Sequence, residues 1–344
     1  MKREDQNPNR LQSMLSSLFN KLLGPFRGTE NQAPSHDPEE TTSQKTTHDV
    51  AAASPPSHVV VQPTRAPRPI TTMKRLVVAL DASQESMVAL ATAADLAISL
   101  KADLRGVFIE DIELLRIADL PVVREVLYPC GTGCRIDAER LMRQLRAQAS
   151  QARQALASIC EKRHITWSFD TVRGNVESEI LSAANDADLL ILGRTSRPLV
   201  RQVQMGSTAR AAVRSSTSSV FITQATQKIR SPVVTIFHDS DCGQRTLAIA
   251  IHLAQRTGGH LTILLPGETG QKARQYVRSQ AAELIRRRRL VIRYRSLIDT
   301  GLATIQQTLS SEASGVAILC ACILPSEDIQ TLLDSLDHPV MLVR

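Results

Sequence analysis

Residues 188–213 read DLLILGRTSRPLVRQVQMGSTARAAV, and this stretch decides the fold class. The apolar run 189–192 predicts a buried strand that stops at Gly193. After a basic loop, Gly206 precedes an Ala-rich segment that predicts a helix from Ser207. A buried strand followed by a loop and a helix is typical of α/β proteins with a parallel sheet.

The loop between this strand and this helix has the composition of an anion pocket. Arg194, Arg197 and Arg201 can make charge-assisted bonds to phosphate. Free N–H groups and the dipole at a helix N-terminus attract negative charge, and Gly206 lets a ligand approach the backbone closely. Ser207 adds a hydroxyl. The alternative is an ordinary loop whose arginines are solvated.

Strands and helices alternate along the chain, and the alternation starts again after residue 226. The two starts, Leu76–Ser83 and Val233–Ser240, align so that His238 replaces Asp81. Strands are predicted at residues 74–81, 104–109, 166–172, 189–192, 219–223, 233–237, 261–265, 291–298, 316–322 and 340–343. Helices are predicted at about 84–100, 136–162, 176–184, from 207, and at 244–256, 272–289, 302–312 and 328–336. We expect a tail at 1–72, a first domain at 73–226 and a second at 227–344.

The loop spacing resembles that of a known family. Gly193, Ser196 and Gly206-Ser207 follow the Gly-x2-Gly-x9-Gly-(Ser/Thr) pattern of the universal stress proteins, except that Ser196 replaces the second glycine. If that position needs a positive φ, serine costs about 1 kcal/mol there. The resemblance covers residues 73–344, is strong in the first copy and is degenerate in the second. It implies two tandem Rossmann-like domains that pack together as the family's homodimers do.

The resemblance also implies a ligand, ATP or a related adenine nucleotide, with Mg²⁺ accompanying a triphosphate. In ATP-binding members, an acid after strand one and a valine near the end of strand two hold adenosine, while the glycine loop holds the phosphates. The corresponding candidate positions and their neighbours are Ala79, Asp81, Val107, Leu192, Gly193, Ser196, Arg197, Gly206, Ser207 and Thr208. From the residues alone, Asp81 is also readable as a helix-capping acid and Val107 as a core residue.

The second copy has no comparable loop. Its fourth strand passes through residues 321–326 almost directly into a helix, without a glycine pair or a basic spacer. No Walker A pattern occurs, and no general base with a partner stands out, so we expect a regulator rather than an enzyme. The alternative function is an interaction protein whose pocket Ser196 has disabled. A weak ATPase ranks third.

Composition narrows the class of protein. With 344 residues and 42% hydrophobic content, the chain can form two cores, and a net charge of +7 favours anionic ligands. Six scattered cysteines fit a reducing cytoplasm better than a disulfide framework, and no apolar run reaches the length of a membrane span. Cys320 and Cys322 alternate on a predicted strand and are expected in the core. Cys130 and Cys134 are expected to be loop thiols rather than a zinc site.

Predictions also follow for three further segments. Residues 10–24 form an amphipathic pattern within an otherwise disordered tail, which indicates docking on the folded body or on a partner protein. The insert 114–126 suits a lid or an interface. The arginines at 286–289 are read as a helix C-terminus more readily than as a nucleic-acid site.

Overall fold

A computed structural model describes most of the chain beyond its predicted tail. The described residues are 73–344 except 121–123, 127–132, 136, 195–204, 225–228, 230, 268, 272–273, 280–289 and 313–314. They belong to a unit that extends from Arg68 to Arg344. The predicted tail with its helix at 10–24 lies outside the described residues.

The first half of the unit, residues 73–226, follows the predicted alternation. Its helix after the first strand is capped by Ser83, whose hydroxyl accepts a bond from the Ser86 N–H at 3.1 Å. The elements of the first half are β1 (Arg75–Leu80), α1 (Gln84–Leu100), β2 (Asp103–Asp111), α2 (Ile112–Ala118), β3 (Arg124–Val126), β4 (Gly133–Arg135), α3 (Ala138–Lys162), β5 (Trp167–Gly174), α4 (Val176–Asn185), β6 (Leu189–Gly193), α5 (Ser207–Ser215) and β7 (Ser219–Thr223).

The second half, residues 227–344, repeats this order without an insert. Its elements are β8 (Val233–Ile236), α6 (Asp241–Arg256), β9 (His260–Pro266), β10 (Val291–Leu297), α7 (Leu302–Ser311), β11 (Val316–Cys320), α8 (Ser326–Ser335) and β12 (Val340–Val343). Of the helix predicted at 272–289, residues 274–279 are helical, and 272–273 and 280–289 are not described. Helix α6 begins three residues before its predicted start.

Ten strands form one sheet in the order β10-β9-β8-β11-β12-β7-β6-β1-β2-β5. Numbered along the chain, the five strands of each half lie in the same order, 3-2-1-4-5. Pairing within each half is parallel. The halves meet where β7 pairs antiparallel with β12, with Phe221 opposite Met341. The two halves therefore contact each other through the edge strands β7 and β12.

Alternate side chains of the sheet enter two cores. On β1, Leu76, Val78 and Leu80 belong to one core, while Val77 belongs to the other. The first core is covered by α1, α3 and α6, and the second by α4, α5, α7 and α8. Because both faces are covered, the central strands β6, β11 and β12 read as nearly continuous apolar runs, whereas the edge strands β5 and β10 do not. Among the described helices, none combines the length and apolar character that a membrane crossing requires.

The cysteines after β11 correct the sequence prediction. Strand β11 ends at Cys320, and Cys322 lies in the following turn, where it is exposed. The expectation that both residues are in the core is therefore wrong for Cys322, because the chain leaves the sheet two residues earlier than the apolar pattern indicated. Cys320 and Cys322 form a disulfide.

The insert after β2 contains a helix and a small hairpin. Helix α2 follows β2 directly, and Asp111 caps it by accepting a bond from the Glu113 N–H at 2.9 Å. Strands β3 and β4 pair antiparallel, with Glu125 opposite Cys134. The backbone at Cys134 is thus a strand rather than the loop predicted from the sequence, whereas Cys130 lies outside the described residues.

Candidate functional site

The carboxyl ends of β1, β2 and β6 form the first candidate site. In a sheet of order 3-2-1-4-5, successive connections diverge between the first and fourth strands, and ligands bind beyond the carboxyl ends at that point. In the first half this point, which we call the first switch point, lies between β1 and β6. Ala79 on β1 is the register partner of Val107 on β2. The sheet therefore brings Ala79 and Val107 together next to the end of β6.

Asp81 follows β1 and shapes the turn into α1. Its Oδ1 accepts a bond from the Ser83 N–H at 2.9 Å, and its N–H donates to the Ser86 hydroxyl at 3.4 Å. Ala82 between them has a φ of 61°. The residue that caps the helix is Ser83. Asp81 stabilises the turn before the helix rather than the helix end itself. The carboxylate is exposed at the switch point.

Core packing fixes the positions of Val107, Leu192 and Gly193. Val107 is 2% exposed and Leu192 is 3% exposed, and both belong to the core beneath α4 and α5. Gly193 ends β6 against the first turn of α1, where a Cβ would lie 3.0 Å from the backbone carbon of Glu85. A side chain at 193 would push α1 away from the sheet. Close packing is therefore one reason for this glycine.

Helix α5 begins at Ser207, where the sequence predicts a helix start that attracts an anion. Gly206 is its N-cap, with φ −64° and ψ 162°, and no side chain makes the cap hydrogen bond. Ser207 is exposed, and Thr208 is half-buried. A helix N-terminus with a glycine cap leaves backbone donors for water or an anion. Ser196, Arg197 and Arg201 of the preceding loop lie outside the described residues.

Arg194 does not extend toward solvent, and this corrects the expectation that it is available to phosphate. It is 3% exposed. Its guanidinium donates to the carbonyl of Asp334 at 2.9 Å and to the carbonyl of Leu336. These carbonyls belong to the C-terminus of α8, where unpaired acceptors and the helix dipole favour a cation. Burial lowers the pKa of Arg194, opposed by the charges of Asp334 and Asp337.

Asp334 of the second half lies beside the start of α5. Its Oδ1 accepts a bond from the Met205 N–H at 2.7 Å, and its Oδ2 is 3.4 Å from the Arg210 guanidinium. A carboxylate from α8 therefore satisfies the backbone donor directly before the Gly206 cap. Sequence reasoning missed this contact and that of Arg194, because the partners are 129 and 140 residues apart.

The basic cluster near β10 gives no second anion site among the described residues. Arg295 pairs with Glu312, whose side chain is 6% exposed. Arg293 is exposed on the same strand, and residues 286–289 are not described.

The comparisons with known proteins agree with this architecture. Residues 72–224 match the sequence model of the family described as the universal stress protein family. A universal stress protein from Archaeoglobus fulgidus DSM 4304 covers 79% of this chain and 98% of its own, with a TM-score of 0.58 and 14% identity. A protein of unknown function from Pseudomonas aeruginosa PAO1 covers 80% of this chain and 93% of its own, with a TM-score of 0.52 and 11% identity.

A comparison with curated proteins gives no significant match. At 14% and 11% identity, the solved structures establish the fold alone. The family model is more informative, because its match includes β1, Asp81, Val107 and the glycine-containing loop. Residues 72–224 therefore match the universal stress protein family, and the rest of the chain lies outside that match.

Proposed function

We propose that this universal stress protein is a stress-response regulator whose first half binds ATP or a related adenine nucleotide. Adenosine lies beside Ala79, Asp81 and Val107, and the phosphates lie at the start of α5. Residues 227–344 form a second, degenerate domain of the same type. The protein acts in the cytoplasm through its nucleotide state and not as an enzyme, and Mg²⁺ accompanies a bound triphosphate.

One observation carries the nucleotide proposal. Ala79 and Val107 are register partners at the first switch point, and β6, which pairs with β1, leads from this point toward α5. The same edge thus brings the half-buried Ala79, an exposed carboxylate and a glycine-capped helix start near one another. The predicted role of Ser196 rests on its position in the family pattern, and that of Arg197 on its charge in the basic loop.

The tandem assignment is supported by the strand orders. Both halves have the order 3-2-1-4-5 and meet through their last strands, β7 and β12. In the second half, residues 321–325 connect β11 to α8 without room for a phosphate loop. The proposal therefore places one nucleotide in each chain, in the domain at 73–226.

Equilibrium dialysis with labelled ATP tests the proposal. The full chain is dialysed at free ATP concentrations up to about 1 mM, where half-saturation corresponds to about 4 kcal/mol of binding free energy. Saturation at one ATP per chain is expected. Absence of uptake over this range would contradict the proposal.

Two substitutions at one position locate the site. Gly206→Asp and Gly206→Asn both provide a good helix cap, and the observed φ and ψ suit a side chain. The aspartate places a negative charge where the phosphates are expected, so it should abolish uptake, whereas the asparagine should retain more of it. Equal uptake by the parent and Gly206→Asp would mean that the nucleotide binds elsewhere.

A specific observation favours the second candidate, an interaction protein without nucleotide. Arg194 is committed to α8, and the Asp334 carboxylate already accepts the Met205 N–H. These contacts use the ends of the loop to join the halves. The substitution Ser196→Gly distinguishes the candidates: relief of about 1 kcal/mol should tighten ATP binding about fivefold. Uptake only after this substitution would favour a disabled pocket in the natural chain.

The amphipathic segment at 10–24 is the proposed docking element for a protein partner. Deleting residues 1–28 should reduce partner recovery or thermal stability. If both measurements match those of the full chain, this segment is not the docking element.

A further inference from the structure

Three cysteines meet at the switch point of the second half, between β8 and β11. Cys242 lies in the first turn of α6, Cys320 ends β11, and Cys322 lies in the next turn. Their three sulfur atoms lie within 4.8 Å of one another. His238 follows β8, and its Nδ1 is 3.8 Å from the Cys322 sulfur. Four soft or borderline ligands thus occupy the position that corresponds to the nucleotide site of the first half.

The distances suit a single tetrahedral ion. Zn–S bonds of about 2.3 Å place neighbouring sulfurs about 3.8 Å apart around a tetrahedral zinc. The Cys242 sulfur lies within 4.8 Å of the other two, which is at most about an ångström more than this value. The sulfurs of Cys320 and Cys322 are bonded to each other and must move apart once the disulfide is reduced. The separation of 3.8 Å between His238 Nδ1 and the Cys322 sulfur fits the fourth ligand position.

The backbone around these residues holds them close to one another. Gly243 follows Cys242, and a Cβ at this position would lie 1.8 Å from the His238 carbonyl oxygen. This glycine lets the start of α6 touch the end of β8. The Ser240 hydroxyl lies 3.0 Å from His238 Nδ1 and 3.6 Å from the Cys322 sulfur. The Cys242 thiol donates to the Val343 carbonyl at 3.1 Å.

The charge of the metal-bound site and its access to solvent also favour metal binding. Three thiolates, one neutral imidazole and Zn²⁺ carry a net charge of −1, which a nearby cation can balance. Arg344 lines the same open cleft as Cys242 and Cys322, and this cleft has a volume of about 650 Å³. Its remaining lining comes from residues 215–217 and Ala321. The cleft gives a metal ion a route to the sulfurs.

The sulfurs of Cys320 and Cys322 can bind a metal ion only when the disulfide between them is reduced. We propose that Cys242, Cys320, Cys322 and His238 bind one Zn²⁺ when this disulfide is reduced. A dithiol reductant supplies two electrons and two protons, which convert the disulfide to two thiols while the reductant becomes a disulfide. Zinc then binds three thiolates, and the three thiol protons pass to solvent. The oxidised pair offers no thiolates, so the site binds zinc only in the reduced chain.

The test uses the full chain and Co²⁺ as a spectroscopic probe for the zinc position. After reduction with a phosphine and removal of the reductant, titration with Co²⁺ should produce a thiolate-to-cobalt charge-transfer band that saturates at one cobalt per chain. Zn²⁺ should then bleach this band. If the chain is reoxidised before the titration, the charge-transfer band should not form.

Substitutions assign the ligands. Cys242→Ser and Cys322→Ser should each weaken cobalt binding by at least about tenfold, since even partners outside the coordination sphere contribute about that much. His238→Ala should retain the charge-transfer band but shift the visible cobalt bands. Circular dichroism establishes that each variant is folded, and Cys322→Ser alters an exposed side chain.

The remaining cysteines provide matched controls. A Cys130→Ser, Cys134→Ser double variant and a Cys160→Ala variant should bind cobalt as the parent does. Loss of the band in the double variant, cobalt binding as tight as the parent's in both Cys242→Ser and Cys322→Ser, or absence of the band from a chain with titratable reduced thiols would each overturn the proposal.

Discussion

Removing the Arg194 side chain should measure how strongly the loop after β6 holds the second half. Arg194 is 3% exposed and donates to two carbonyls at the C-terminus of α8. A hydrogen bond that involves a charged group contributes about 1.5–3 kcal/mol, and a buried acceptor left without a partner costs a further 1–3 kcal/mol or so. Counting one such bond and one unpaired acceptor, Arg194→Ala should therefore lower the free energy of unfolding by at least about 2.5 kcal/mol.

Urea denaturation followed by circular dichroism is the assay, and the midpoint should fall while the slope changes little. Arg143→Ala is the matched control, because Arg143 is 72% exposed and 4.0 Å from Asp137, so its loss should cost less than about 0.5 kcal/mol. Arg194→Lys should lie between the parent and Arg194→Ala, since one ammonium cannot reproduce the planar guanidinium. If Arg194→Ala is as stable as Arg143→Ala, the contact does not stabilise the fold and the reasoning is refuted.

Three further predictions concern buried groups. Burial raises the pKa of Asp111 because it disfavours the charged carboxylate. Asp111→Asn keeps a capping side chain, so it should raise the urea midpoint at neutral pH, and this gain should shrink in acid. A gain that does not depend on pH would mean that the cost of burying the Asp111 charge is not its cause. Burial lowers the pKa of His338 below its ordinary value of 6.5. As the pH falls through that value, the unfolded chain binds a proton before the folded chain does, so the free energy of unfolding decreases. His338→Gln should flatten this decrease between about pH 7 and about pH 5. Gly243→Ala would place a Cβ 1.8 Å from the His238 carbonyl oxygen, and should cost more than about 2 kcal/mol in a thermal or urea melt; a stability equal to that of the parent would mean that α6 and β8 are not in close contact.

Local signals in the sequence predict most of the fold. The apolar runs at β7 and β12 predict both strands with their observed bounds, because fully buried strands leave no polar interruption. Ser83 marks the start of α1 through its capping hydroxyl. The alternation of strands and helices also predicts a sheet covered on both faces.

The errors arise where local signals conflict with tertiary contacts. Helix α6 begins at Asp241 rather than Gln244, because Gly243 lowers the helical signal yet is required where α6 contacts the end of β8. The alternation of Cys320 and Cys322 is that of a strand, but the chain turns between them.

The candidate site is predicted in part. Periodicity and loop spacing predict which residues reach the edge of the sheet. The structure pairs Ala79 with Val107, and their role in binding stays a prediction. Nothing in the sequence distinguishes Arg194 from Arg197, since both lie in one basic loop. Only the packing of α8, more than a hundred residues further along the chain, commits Arg194 to the contact between the halves.

A crystal structure of the full chain grown with ATP tests the central claim most directly. We expect one nucleotide per chain at the first switch point, with its base beside Val107. A phosphate oxygen should lie within about 3.2 Å of the backbone nitrogen of Ser207 or Thr208. Nucleotide bound at another place, or a first switch point that is filled by the chain's own side chains in crystals saturated with ATP, would contradict it.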